Sequence, residues 1–324
     1  MSIPTQTLRE ILGIEFPVIM APMFLVSNTD MLIAAAENGI TAAVPALNYR
    51  TDEAFRAALK LLKEKCPGPF GVNLITNQSN YKYPEQLKAC VDYKVDYIIT
   101  SLGSPQPVID ACKPHGIKVL CDVVNEEYAA KVVAMGADAL IAVNAEAGGH
   151  LGKIPSAELI PSLLKFGIPV ISAGGVGTGE GIYQKMQLGA AGVSMGSIFI
   201  ASKEAPVSEE YKQACVDYSA DDIVVTTRLS GTPCTVINTP YVRESGLKQN
   251  WLENLLNKHR SLKRYAKMLT FYKGMKSLEK AAFSATYKTM WVAGQSIEHV
   301  HAVESIAVIV DRLKREYAAA EKVG

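Results

Sequence analysis

The chain has almost no imbalance of charge. Its 324 residues carry 33 lysines and arginines against 32 aspartates and glutamates, a formal net charge of +1. No global field is available to recruit nucleic acid or an anionic membrane surface, so neither is expected as a partner. No apolar stretch approaches the ~20 residues that span a bilayer, and Met1–Thr7 lacks the basic-then-apolar pattern of a secretory leader. The six cysteines form no C-x-x-C pair and no zinc-like cluster. No metal is expected, and reduced core thiols in a cytoplasmic protein are. Histidine is scarce, with five in the chain, and the 48% hydrophobic and 20% charged content is that of an ordinary globular enzyme. The length admits two average domains or one large single-core architecture.

What is present is a rhythm. Short apolar runs begin at Val18, Ala42, Phe70, Tyr97, Lys118, Ala139, Pro169 and Gly192, at the spacing of βα units. They are continuously apolar instead of alternating, as strands buried on both faces should be. Helical patterns with recognisable ends lie between them. Asn28-Thr29-Asp30 caps a helix that Gly39 stops, and Glu126–Met135 ends at Gly136. Eight such units favour a closed (β/α)8 TIM barrel. An open doubly wound sheet has the same local signature, and strand count does not separate the two.

After about Pro206 the texture changes to Lys, Tyr and Met with helical spacing, as in Trp251–Leu256 and Tyr265–Tyr272. This predicts a barrel over residues 1–206 and 291–324 and a helical insert over 207–290, after strand 8. The insert reads as a lid, a dimer surface or both, so a homodimer is allowed. Its basic residues read as a solvated helix face.

Barrel chemistry sits at the carboxyl ends of the strands. Gly174-Gly175 follows strand 7 and Gly196-Ser197 follows strand 8, where bare backbone N–H groups can cradle a phosphate. The bland alternative is a pair of tight βα turns. With a phosphate there, a flavin would extend across the barrel top. Its ring would lie against Ala21-Pro22-Met23, and Asn73 would offer both donor and acceptor. Ala173 belongs to the same rim. After strand 6, Ala147-Gly148-Gly149 bares the backbone for the cofactor and leaves His150 aimed at the reacting face. One terminal phosphate and the lack of a strand-linked G-x-G-x-x-G favour FMN over FAD.

In that order, Ala21-Pro22-Met23, Gly71–Leu74, Ala147–His150, Ala173–Gly175 with Gly179, and Met195–Ser197 resemble the nitronate monooxygenase family, formerly 2-nitropropane dioxygenases. A weaker echo is Trp291–Gln295. The resemblance implies an FMN-dependent TIM barrel that oxidises alkyl nitronates with O2 to carbonyl compounds and nitrite, the reactive chemistry residing in the cofactor. It implies a catalytic His150, FMN phosphate held by Gly174, Gly175 and Gly196, and Trp291 and Gln295 along the substrate wall, with an ordinary core position as the alternative for Trp291. Some members carry a lysine after strand 5, where this chain has Cys121-Asp122-Val123. FMN-dependent enoyl-acyl-carrier-protein reductases share Glu146–His150 and the Ala-Gly-Gln stretch, and NADH:quinone reductases are related. The alternative is therefore an NAD(P)H-dependent FMN reductase. A flavin-binding scaffold is the non-enzyme alternative, and His150 argues against it.

Overall fold

The structure is a computed structural model that describes residues 6–77, 80–229, 232–247 and 290–324. Eight parallel strands close on themselves: β1 (Val18–Met20), β2 (Thr41–Pro45), β3 (Phe70–Ile75), β4 (Tyr97–Ser101), β5 (Lys118–Val123), β6 (Ala139–Val143), β7 (Val170–Ala173) and β8 (Gly192–Met195). Val18 lies opposite Val193, which pairs β1 with β8 and shuts the barrel. The closed-barrel expectation holds, and the open sheet is excluded.

The helices α1 (Leu8–Leu12), α2 (Thr29–Glu37), α3 (Asp52–Lys65), α4 (Tyr83–Asp92), α5 (Gln106–Cys112), α6 (Glu126–Met135), α7 (Ser156–Leu163) and α8 (Gly179–Gln187) precede or follow the strands. Their ends obey local chemistry. The Asn28 side chain accepts from the Met31 amide and that of Asn125 from the Tyr128 amide, each satisfying a first-turn donor. Gly136 stops α6 at φ +99°.

Inside the barrel, Ile19, Ala43, Ile99, Leu120, Ile141 and Ile171 pack together with Leu8, Leu12 and Ile14 of the amino-terminal segment. Those three close the amino end of the barrel. Near that floor the ring of Tyr97 fills the space a side chain at Gly71 would need, since a Cβ there would stand 2.2 Å from it. The other end is left open.

The segment after β8 is not purely helical. It carries α9 (Glu209–Asp217) and α10 (Pro240–Ser245), but between them run β9 (Ile223–Thr226) and β10 (Cys234–Ile237), an antiparallel pair. Trp251–Leu256 and Tyr265–Tyr272 lie outside the described residues. The described chain resumes at Met290, and α11 (Ile306–Val323) packs against α8.

Candidate active site

The open end of the barrel holds a cavity of about 750 Å³. Ala21, Pro22, Met23, Asn73, Ala147, Gly148, Gly149, His150, Ala173, Gly174, Gly175, Gly196 and Ser197 all line it. Five strand ends and their loops, those of β1, β3, β6, β7 and β8, thus bring the expected cofactor residues and the expected histidine to one place. Trp291 and Gln295 are not among the lining residues. Trp291 is fully buried and stacks on Tyr211, with ring centroids 5.5 Å apart, while Gln295 is exposed at the start of a 3-10 turn. The cavity is lined instead by Met290, Val292, Ala293 and Ser296. The reason is period two: an extended segment turns alternate side chains to opposite sides. With Met290 and Val292 facing the cavity, Trp291 faces the core.

The segment between β8 and Met290 supplies part of the roof through β10. The Gly149 amide donates to Thr235 Oγ1 at 2.8 Å and the Thr235 amide to Gly149 O at 2.9 Å, with His150 bridged antiparallel to Cys234. Farther along β10, Val236 bridges to Val292. One edge of β10 therefore pairs with β9, and the other holds both the histidine loop and the returning chain. Leu229, Thr232, Pro233 and Cys234 line the cavity from this side.

The loop glycines have separable reasons. A Cβ on Gly174 (φ +119°) would stand 2.3 Å from Asn144 Oδ1 and 2.4 Å from the Ala147 amide, and one on Gly175 (φ +71°) would stand 2.7 Å from Glu146 Cβ. Contact between the loops after β6 and β7 therefore demands these two glycines by itself. Gly196 is different. Its φ is −118°, a value open to any residue, and the nearest atom to a Cβ would be Met23 Sδ at 3.3 Å, the end of a flexible side chain. Since Gly196 lines the cavity, what a side chain would fill there is ligand space.

The amino terminus of α8 does not serve as an anion site. Thr178 accepts from the Gly181 amide at 3.0 Å, and the Glu316 carboxylate accepts from the Gly179 amide at 2.7 Å. Those two first-turn amides are thereby taken up, whereas the turns at Gly174-Gly175 and Gly196-Ser197 line the cavity. There the Ser197 hydroxyl oxygen already accepts from the Gly294 amide at 2.8 Å, leaving its hydrogen to donate.

Asn73 offers less than its side-chain formula suggests. Its Nδ2 donates to Ile99 O at 3.2 Å and to Ser101 Oγ at 2.8 Å, so its carbonyl oxygen is what it presents to a ligand. Ser101 in turn donates to Asp122 Oδ2 at 2.5 Å. This chain of three crosses β3, β4 and β5 beneath the cavity, and all three residues line it. Ser101 and Asp122 are visible in the sequence only as strand-end residues, and nothing local marks them as partners.

Among the described lining residues there is no lysine or arginine, and Asp122 and His150 are the groups that ionise near neutrality. Burial pushes the Asp122 carboxyl up to about 6, against a smaller opposing effect of the Ser101 hydrogen bond. His150 opens onto the cavity but is crowded by protein on its other sides, and that desolvation lowers its pKa below the ordinary histidine value. Both groups are pushed toward their neutral forms. The turns fit FMN: neutral amides for its phosphate, an apolar trough for its ring, and an acceptor at Asn73 for a ring N–H. Among the described residues no cluster of acidic, histidine and cysteine side chains could hold a metal, and no helix is long and apolar enough to cross a membrane.

A nitronate monooxygenase family model matches residues 5–316. The chain is 32% identical over 267 residues, 81% of its length and 74% of the relative's, to a (3aS,4S,5R,7aS)-5-hydroxy-7a-methyl-1-oxo-octahydro-1H-indene-4-carboxyl-CoA dehydrogenase of Mycobacterium tuberculosis. It is 29% identical to a nitronate monooxygenase of Pseudomonas aeruginosa, covering 70% of this chain and 78% of that one. Among solved structures, FabK of Thermotoga maritima superposes with a TM-score of 0.84 at 28% identity, covering 98% of both chains. The match runs through the barrel, the histidine loop and the returning segment alike, and on that ground the chain belongs to the nitronate monooxygenase family and is an oxidoreductase.

Proposed function

We propose that the protein is an FMN-dependent nitronate monooxygenase, converting alkyl nitronates and O2 to carbonyl compounds and nitrite. The observation that carries this reading is the gathering of His150 and the twelve expected cofactor residues around one cavity. Gly174, Gly175, Gly196 and Ser197 would hold the phosphate through amides and a hydroxyl, and Ala21–Met23 with Asn73 would hold the ring. Bound FMN would supply the electron acceptor and the oxygen chemistry.

The chain's own contribution is to bind, orient and exclude water. Desolvation lowers the His150 pKa and so favours its neutral form, which has both a ring N–H donor and a ring nitrogen acceptor. The donor can hold a nitronate oxygen where negative charge moves away from carbon, and the acceptor can take the carbon proton if a neutral nitroalkane is used. Cavity walls such as Phe24, Leu47, Leu151 and Met290 keep water from that oxygen and strengthen the hydrogen bond.

A second reading, oxidation or reduction of a larger thioester-linked or quinone substrate with NAD(P)H as partner, is favoured by the exposed apolar residues at the mouth. Leu102 and Val124 line it and remain 50% and 42% exposed, and the Mycobacterium tuberculosis relative is named for a CoA substrate. One anaerobic experiment separates the two. The yellow protein is mixed in turn with a nitronate, NADH and NADPH, and the flavin absorbance is followed. Bleaching by nitronate, with nitrite formed on readmitting air, supports the first reading. Bleaching by a nicotinamide alone supports the second, and acid-released cofactor running as FAD overturns both.

A further inference from the structure

Asp122 has no role in the reaction as derived above, yet its carboxyl lines the cavity at the head of the Asn73–Ser101–Asp122 chain. We propose that Asp122 is a redox-linked proton acceptor, taking up one proton from solvent when the bound cofactor is reduced and releasing it on reoxidation. The inference rests on the FMN reading of the site.

Among the described residues, the surroundings of Asp122 leave its charge uncompensated. Ser101 faces it from β4, with Asn73 behind on β3. Tyr128 approaches from α6, and its phenol donates to Gly103 O. Ile141 stands opposite on β6, followed by Val143. On β5 itself, the Cys121 thiol accepts from Thr100. His150 shares the cavity, and no lysine or arginine lines it among the described residues. Hydroxyls and an amide can orient a carboxylate but cannot cancel it.

Two electrons delivered to the cofactor, from substrate in turnover or from dithionite in a test, add negative charge to the same cavity. Like charge raises a carboxyl's proton affinity. Asp122 then forms an O–H bond at Oδ1 with a proton from solvent, while Oδ2 goes on accepting from Ser101. With one proton that the reduced cofactor would itself take, the proton on Asp122 is the second, so the two negative charges delivered are matched by two protons. Since burial already places the group near 6, the uptake falls around neutral pH. An ordinary aspartate near 4 would place it in acid. By reciprocity, if reduction tightens proton binding about tenfold, the ionised carboxylate disfavours the reduced cofactor about tenfold, or about 30 mV for a two-electron couple.

The test is the cofactor midpoint potential of FMN-loaded protein between pH 5 and 9, with reduced-minus-oxidised infrared spectra. Wild type should show a break in the potential–pH curve near or above pH 6 and gain a protonated-carboxyl band on reduction. Asp122→Asn should lose both and have the higher potential above the break. Ser101→Ala removes the hydrogen bond that favours the carboxylate, so its break should move to higher pH. A purely structural Ser101 would leave the break where it is. Parallel curves for wild type and Asp122→Asn, or no carboxyl band in wild type, overturn this inference and leave the FMN reading standing. A protein that takes up no FMN overturns both.

Discussion

Two adjacent glycines in the histidine loop should fail for opposite reasons when substituted. At Gly148 the obstacle is space: a Cβ would stand 2.8 Å from the Gly294 amide nitrogen and 2.9 Å from Ser197 Oγ. Both neighbours are fixed, one as backbone and the other by accepting from the Gly294 amide at 2.8 Å. Relief requires the returning chain to move off the loop. Overpacking of this kind costs ~1–3 kcal/mol, and breaking the Gly294–Ser197 bond adds ~0.5–1.5 kcal/mol. Gly148→Ala should therefore destabilise by roughly 2–4 kcal/mol. At Gly149 there is room, since the nearest atom to a Cβ is Val292 Cγ1 at 3.6 Å, but φ is +78°. Gly149→Ala should cost ~1–2 kcal/mol through the left-handed backbone alone. Asparagine separates the two effects. It tolerates the left-handed region, so Gly149→Asn should recover part of the loss, whereas Gly148→Asn should be no better than Gly148→Ala. Urea titration of flavin-stripped protein suits the measurement, because bound cofactor would mask the difference. Trp291, buried on Tyr211 beside the moving segment, gives the fluorescence signal. If Gly148→Ala shifts stability by less than about 0.5 kcal/mol, or asparagine rescues at 148, the packing argument is wrong.

His150→Ala should keep the flavin but lose ~10²-fold or more in turnover. Because desolvation lowers the His150 pKa, the acid limb of kcat/KM should fall below the ordinary ~6.5. A limb at or above that value, or one that persists in His150→Asn, refutes the assignment. Gly196→Val should abolish FMN retention while leaving flavin-free stability within about 1 kcal/mol, since the added side chain fills ligand space and not core. FMN bound at wild-type stoichiometry would sink the cradle. Asp122→Asn should stabilise the protein above pH 6 but not below pH 4. The folded carboxyl is raised to about 6, so its favourable contribution is complete below the unfolded pKa and disappears as pH rises through the folded one. The gain should be on the order of 2 kcal/mol after allowing for partial exposure, and an equal effect at both pH values rejects it.

The barrel was legible because each of its strands is buried on two sides and so carries a continuous apolar run. The candidate cofactor residues were legible because barrel topology fixes where strand ends meet. Other features escaped for stated causes. Ile223–Thr226 and Cys234–Ile237 are four-residue strands in a segment rich in Lys, Tyr and Met. Their β-branched runs on either side of Ser230-Gly231-Thr232-Pro233 were the available hairpin signal. The resemblance of Trp291–Gln295 to the family's return segment points equally to a substrate wall or to core for Trp291, because a one-residue step along an extended chain decides which way it points. The Asn73–Ser101–Asp122 chain joins three strands, and its members are 28 and 21 residues apart. Nothing in local pattern reports such a pairing.

The packing of Leu8, Leu12 and Ile14 into the amino end of the barrel has a consequence for traffic. With that end plugged, reactants and products that use the cavity must share the mouth between the strand-end loops. A molecule seated deepest cannot leave before one seated above it. Cofactor residence would then be prolonged by whatever occupies the outer space, and a substrate or product lingering near Leu102 and Val124 would hold back the next arrival. Exchange through a single mouth would proceed in sequence, last in and first out. A molecule that fits the mouth would therefore act as a cork, blocking exchange while touching nothing reactive beneath it.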